Sequence, residues 1–167
     1  MSSQDTRFNT LSNEEIQSLL NDATKNPANA TNLDALKDLG GLPTWENFKV
    51  LSTQKPHLIS LNFNNERRVF TGLTAMAYPA STNRTNLMLN IMYLGAVPFA
   101  IWLSWSGHVN IWIAVITALV VAVIFKQAGS WVRAQATKKL ALREAYPYYY
   151  ALAHGFYKFH NIPNKTR

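Results

Sequence analysis

The sequence predicts a mainly α membrane protein. Its parts are a two-helix transmembrane hairpin, a small N-terminal α+β cytoplasmic region of short helices plus a β-hairpin, and a C-terminal amphipathic helical extension. Three observations lead there. Residues Leu87 to Phe125 contain no Asp, Glu, Lys or Arg. That stretch divides into two apolar segments, Leu87–Trp105 and Val109–Phe125, separated only by Ser106-Gly107-His108. The flanks on both sides are basic. A chain of 167 residues has room for one modest domain besides such a hairpin. The expected organisation is 1–85 for the cytoplasmic region, 86–126 for the hairpin, and 127–167 for a basic, aromatic-rich tail.

In the N-terminal region, Ser12-Asn13-Glu14-Glu15 has the form of a capping box opening a helix, and Asn26-Pro27 closes it. Asn32 is placed to cap a second helix, Leu33–Leu39, which Gly40-Gly41 would stop. Pro43-Thr44-Trp45 starts a third short turn running to about Leu51. After Pro56, Ile59, Leu61 and Phe63 alternate with polar neighbours. Asn64-Asn65 suits a turn, and Val69, Thr71, Leu73 and Ala75 form a second alternating run. A β-hairpin is the expectation. Residues 77–85 read as a linker or an interfacial stretch.

About 20 apolar residues cross a bilayer core of ~30 Å, and both apolar segments approach that length. Seven acids stand against five bases in residues 1–57, whereas eight bases and only Glu144 follow from Lys126 onward. Arg84 precedes the first span, the turn has no Lys or Arg, and Lys126, Arg133, Lys138, Lys139 and Arg143 follow the second. The positive-inside bias then predicts a cytoplasmic (inner) membrane protein with both termini cytoplasmic. Trp102, Trp105 and Trp112 would mark the far interface and Trp131 the near one. Gly95, Ala96 and Ala100 in the first span and Ala114, Ala118 and Ala122 in the second offer narrow faces for helix packing. Pro98 would kink the first span or free a carbonyl.

In the tail, Tyr148, Tyr149, Tyr150, Phe156, Tyr157 and Phe159 read as a surface docking on the membrane or on a partner. The expected partners are other subunits of a membrane complex and anionic lipid held by the basic tail, with self-association through the hairpin as a further option. The position of the charge beside a membrane span argues against nucleic acid.

No residue pattern signals catalysis. The chain lacks cysteine, which removes thiolate metal sites and cysteine nucleophiles. His57, His108, His154 and His160 lack the i, i+4 spacing of a helical metal site. No phosphate loop or nucleophile elbow occurs. Three sequons, beginning at Asn29, Asn83 and Asn164, fall on the cytoplasmic side of the expected topology and so stay unmodified. The sequence therefore predicts no catalytic residue, metal or cofactor. The expected role is a non-enzymatic accessory, scaffold or assembly subunit. A pore-forming protein that oligomerises through its hairpin is the alternative, and a membrane-anchored enzyme ranks last.

Overall fold

The computed structural model describes residues 12–30, 32, 36, 41–74, 80–107 and 109–160. The fold is mostly helical, with two long apolar helices and one small antiparallel sheet. The chain divides into two compact units, one formed by residues 1–77 together with 134–167 and the other by residues 78–133.

The first unit, the head, opens with α1 (Asn13–Lys25), started by the expected capping box: the Ser12 hydroxyl accepts from the Glu15 N–H, and the Glu15 carboxylate accepts from the Ser12 N–H. Asn26 ends α1 and Pro27–Asn29 forms a single 3₁₀ turn. Helix α2 (Trp45–Gln54) is capped by Thr44. A second 3₁₀ turn, Pro56–Leu58, feeds strand β1 (Ile59–Leu61). Most of the helix expected over 33–39 lies outside the described residues, as do Ala75 and Met76 and the residues 77–79 of the expected linker.

The β element departs from expectation in its second strand. Residues Glu66–Thr74 are a helix, α3, and β1 pairs instead with β2 (Tyr157–Phe159), in the register Ile59 to Phe159, Ser60 to Lys158 and Leu61 to Tyr157. Two periodicities competed over 66–74. The alternating set Val69, Thr71, Leu73 suits a strand, but Glu66, Val69, Phe70 and Leu73 follow a 3.6-residue repeat. All four of these are buried, whereas Thr71 is exposed. Phe70, which the strand reading left facing water, settles the choice for helix.

The tail is likewise not a separate extension. After α5 (Ile111–Arg143) and a break at Glu144, α6 (Ala145–Ala153) begins with Pro147 in its first turn, where the missing N–H costs nothing. It ends in a Schellman motif. Gly155, at φ +64°, stands just past the cap; its N–H donates to the Leu152 carbonyl and that of Phe156 to Ala151. An added Cβ at Gly155 would stand 2.5 Å from that of Ala28, so the glycine is required by both its φ and its neighbour.

Helix α6 and β2 supply the centre of the head. Tyr148, Phe156 and Tyr157 are fully buried, and Tyr149 and Phe159 nearly so. Phe48 of α2 stacks on Tyr148 at 4.5 Å between ring centroids and meets Tyr157 at 4.9 Å. Tyr149 and Phe156 add edge contacts at 5.0 Å each, to Tyr148 and Tyr157 respectively. Pairs of this geometry add roughly 0.5–1.5 kcal/mol beyond their buried area. The rings expected to dock elsewhere are therefore the head's own core, and Tyr150, half-buried, lies against Tyr146 and His154.

The second unit holds α4 (Ala80–Trp105) and most of α5, with Ser106 and Gly107 turning out of α4 and Asn110 leading into α5. Helix α4 starts seven residues before the expected span, and α5 runs unbroken 18 residues past Phe125. The helix α4 continues through Pro98. At the turn, Gly107 adopts φ +76°, and Asn110 opens α5 by accepting from the Trp112 N–H at 3.0 Å. His108 lies outside the described residues.

Candidate functional site

Two features could carry function: the apolar surface of α4 and α5, and the buried joint by which the two ends of the chain close the head.

Both long helices are long and apolar enough to cross a membrane, and only 11 % of the residues in the apolar window of each are buried. The core helix of a soluble protein shows the reverse. Leu94, Phe99, Ile101, Ile113, Ile116, Leu119, Val120 and Ile124 all expose large apolar side chains. Water would penalise that surface by roughly 25 cal/mol per Å² relative to an apolar surrounding. The buried positions are small: Ala96 and Ala100 on α4, and Ala114, Ala118 and Ala122 on α5. Ala100, Ala114 and Ala118 form one cluster, with Val109 packed against it. The alanines therefore hold the two helices against each other, which leaves the large side chains facing outward.

Gly95 does not belong to this seam. It is exposed, and an added Cβ would meet nothing within 4 Å, so the packing role expected of it is corrected: the face of α4 that packs carries Ala96 and Ala100. Two substitutions separate the positions. Ala118→Leu should lower the stability of the hairpin by about 1–3 kcal/mol through overpacking. Gly95→Ala should leave it unchanged or raise it by up to about 1 kcal/mol through helix propensity. Thermal unfolding in detergent micelles, followed by circular dichroism, reads both.

Trp102, Trp105, Trp112 and Trp131 are exposed, at 58 %, 89 %, 72 % and 58 %. The first three stand near the turn and the fourth beyond the other end of the apolar band, the places where indoles sit at headgroup level. Lys126, Lys139 and Arg143 are exposed, while Lys138 and Arg133 are half-buried. Arg133 does more than flank the apolar band. Its Nη1 donates to Asn86 Oδ1 of α4 at 2.8 Å and its Nη2 to Ser130 at 3.3 Å, which closes the open end of the hairpin.

The joint in the head is built by asparagines. Asn26 Nδ2 donates to the Ala153 carbonyl at 2.7 Å, and Asn29 Nδ2 to those of Leu152 and Ala23 at 2.8 and 2.9 Å. Asn62 reaches the Gly155 carbonyl, and Asn65 reaches those of His154 and Gly155. The last turn of a helix leaves four carbonyls without intrahelical partners, and here side chains from the other end of the chain supply donors. Asn32 acts on β2 instead. Its Oδ1 accepts from the Phe159 N–H at 2.8 Å and its Nδ2 donates to the Tyr157 carbonyl at 2.7 Å, imitating a third strand along that edge. The sequence gives Asn32 the role of a helix cap; its side chain is spent on the sheet. Asn29 is fully buried with its amide engaged, so its sequon is not a usable acceptor.

Tyr148 is sealed into the same core and donates to the Pro43 carbonyl. Burial, reinforced by Tyr157 and Tyr149, pushes its phenol well above the usual tyrosine range. Burial, with Tyr150 and Glu15, also raises Tyr146. For a phenol raised on folding, the stabilising contribution is complete below the unfolded value of about 10 and is lost as pH climbs through the folded one. The head should therefore lose stability in alkali above about pH 10. Tyr148→Phe should be less stable at neutral pH, having lost its bond to Pro43, yet show a flatter stability profile between about pH 10 and 12. Denaturant titrations across that range test the sign.

Among the described residues no group of three His, Asp or Glu side chains converges as metal ligands. Ser60 and His160 meet at 2.9 Å on the exposed side of the sheet, a cross-strand contact that ties the strand ends together. Comparison with known proteins gives no matching family model, no matching curated protein and no matching solved structure.

Proposed function

We propose that this chain is a non-enzymatic accessory or scaffold subunit of a complex in the cytoplasmic membrane. In this reading α4 and α5 span the bilayer as an anchoring hairpin, and the head holds a protein partner on the cytoplasmic side. The observation that carries it is the outward apolar surface of α4 and α5, which nothing in the chain covers among the described residues. Two further features support the orientation. The turn lacks Lys and Arg while the open end is basic. The head is built from segments on both sides of the hairpin, so both must lie on one side of the membrane for it to form.

The docking surface belongs to other residues than the aromatic tail, whose rings are core. Val50 and Phe63, each about half exposed at 50 % and 48 %, are apolar side chains on the outside of the head. Chemical cross-linking in native membranes, followed by mild-detergent purification, tests the role. The expected result is a defined complex containing other membrane subunits. Recovery as a lone monomer under every gentle condition would sink the proposal.

A further inference from the structure

We propose that the outer edge of β1 is a docking site for an extended, acidic segment of a partner protein, which pairs with it as a third strand. This inference deepens the reading of the head as the part that holds a protein partner, and rests on it.

The register fixes which backbone groups face outward. The Asn62 N–H donates to the Phe156 carbonyl and the His160 N–H to that of Leu58. The hydrogen-bonded pairs of the sheet therefore fall at residues 58, 60 and 62, and the groups of Ile59 and Leu61 point away from β2. The Ile59 N–H turns back onto the Pro56 carbonyl. That leaves the Ile59 C=O and both groups of Leu61 along the edge, where no hydrogen bond engages them among the described residues. The opposite edge is closed: Asn32 covers β2 from outside with two bonds. One sealed edge beside one open edge makes β1 a template for a further strand.

Charge and shape select the occupant. Lys55, Arg67, Arg68 and Lys158 stand before, after and across from β1, all exposed, and no ion pair holds them among the described residues. From Lys49 to Arg68 the single acid is Glu66, which is buried. A second copy of this chain would bring the same cations to the edge and repel them, whereas an acidic strand is attracted. The two faces set the pattern of that strand. On one, Ser60 lies opposite Lys158 and is small enough to let the ammonium pass over it. Strands ~4.8 Å apart put a side chain of the added strand about 10 Å from the Lys158 stem, a gap that Lys and Glu close together. The other face carries half-buried Leu61, with the exposed ring of Phe63 two residues on, and suits apolar side chains. Acidic and apolar residues therefore alternate in the partner segment.

The probe is a fluorescein-labelled octapeptide of alternating Glu and Val, titrated into the purified full chain in nonionic detergent. Fluorescence anisotropy reads binding, and backbone hydrogen exchange reads the Leu61 N–H, which should gain protection. The peptide should bind on the order of tenfold more tightly than its Lys-Val counterpart, the scale of a few exposed ion pairs. Methylating the backbone nitrogens of either the Glu set or the Val set should abolish binding for one set and spare it for the other, because only one set faces β1. Leu61→Pro removes an outward N–H and spares the bonds to β2; it should weaken binding about threefold to tenfold with the near-ultraviolet circular dichroism of the tyrosine core unchanged. Lys158→Glu should weaken it about fivefold, whereas Lys126→Glu, the same charge change outside the head, should not. No binding by the wild type would overturn the site, as would equal effects of the two methylation patterns. Equal losses in Lys158→Glu and Lys126→Glu, which mean diffuse attraction, would also overturn it. The purified chain separates this site from its premise. Failure here beside a recovered cross-linked complex would overturn the edge alone; peptide binding by a chain that is always recovered as a lone monomer would overturn the scaffold role and leave the edge standing.

Discussion

Replacing Asn29 and Asn32 together by leucine should unfold the head. The two side chains make five hydrogen bonds: to the Ala23, Leu152 and Tyr157 carbonyls, to the Phe159 N–H, and to each other. All lie where water is excluded, since both asparagines are buried to 0 % and 1 % exposure. Leaving a buried backbone group without its partner costs about 1–3 kcal/mol. Several such losses rival the whole stability of a small domain, about 5–15 kcal/mol. Asn29→Asp is the sharper control, because it preserves volume but removes both donors. If geometry and not polarity were what mattered, Asp would be tolerated. The expected outcome is loss of the near-ultraviolet circular dichroism of the tyrosine core in both variants, with the long helices retained in the far ultraviolet.

Ending the chain after Arg143 should have a larger effect still. It removes α6 and β2, and with them Tyr148, Tyr149, Leu152, Phe156, Tyr157 and Phe159, all buried. Truncating even one buried aromatic side chain to Ala typically costs about 3–5 kcal/mol. The remaining N-terminal segments would also lose the carbonyls that Asn26, Asn29, Asn62 and Asn65 serve. The Ala141 carbonyl that accepts from Trp45 Nε1 would remain in the chain, but the Trp45 N–H would lose Tyr149 and Phe48 would lose Tyr148 and Tyr157. Limited proteolysis should then cut α1 to α3 freely while residues 87–125 stay protected in detergent. A protease-resistant N-terminal fragment would show that the head stands without the tail.

Much of this architecture was legible in the sequence because local signals dictated it. The capping box at Ser12 and Glu15, the Thr44 cap and the two apolar helices all rest on short-range chemistry or on composition. Ala96, Ala100, Ala114, Ala118 and Ala122 are buried whereas Gly95 is exposed, because smallness alone does not fix direction. What was missed depends on contacts between residues about a hundred apart. Ile59–Leu61 carries no sign that its strand partner is 157–159. Short apolar runs at 66–76 fit two periods, and Phe70 decided between them only through burial. The aromatic tail looked like a surface because basic residues surround it, yet its rings are matched by Phe48 and by the asparagines of the N-terminal segments. Those asparagines held the missing signal. Five of them lie at or beside helix ends and turns, where each can serve the backbone.

The central claim is that the hairpin crosses the membrane with the head, made from both ends of the chain, on one side. Cysteine accessibility tests it directly, because the chain has no native cysteine. Single cysteines are placed at the exposed positions Gln54, Lys158 and Ser106 and probed with a membrane-impermeant maleimide in sealed, oriented vesicles. Gln54→Cys and Lys158→Cys should label from the same side, and Ser106→Cys only from the other. Labelling of all three from one side would mean that α4 and α5 do not cross; labelling of Gln54→Cys and Lys158→Cys from opposite sides would mean that the head described above cannot form.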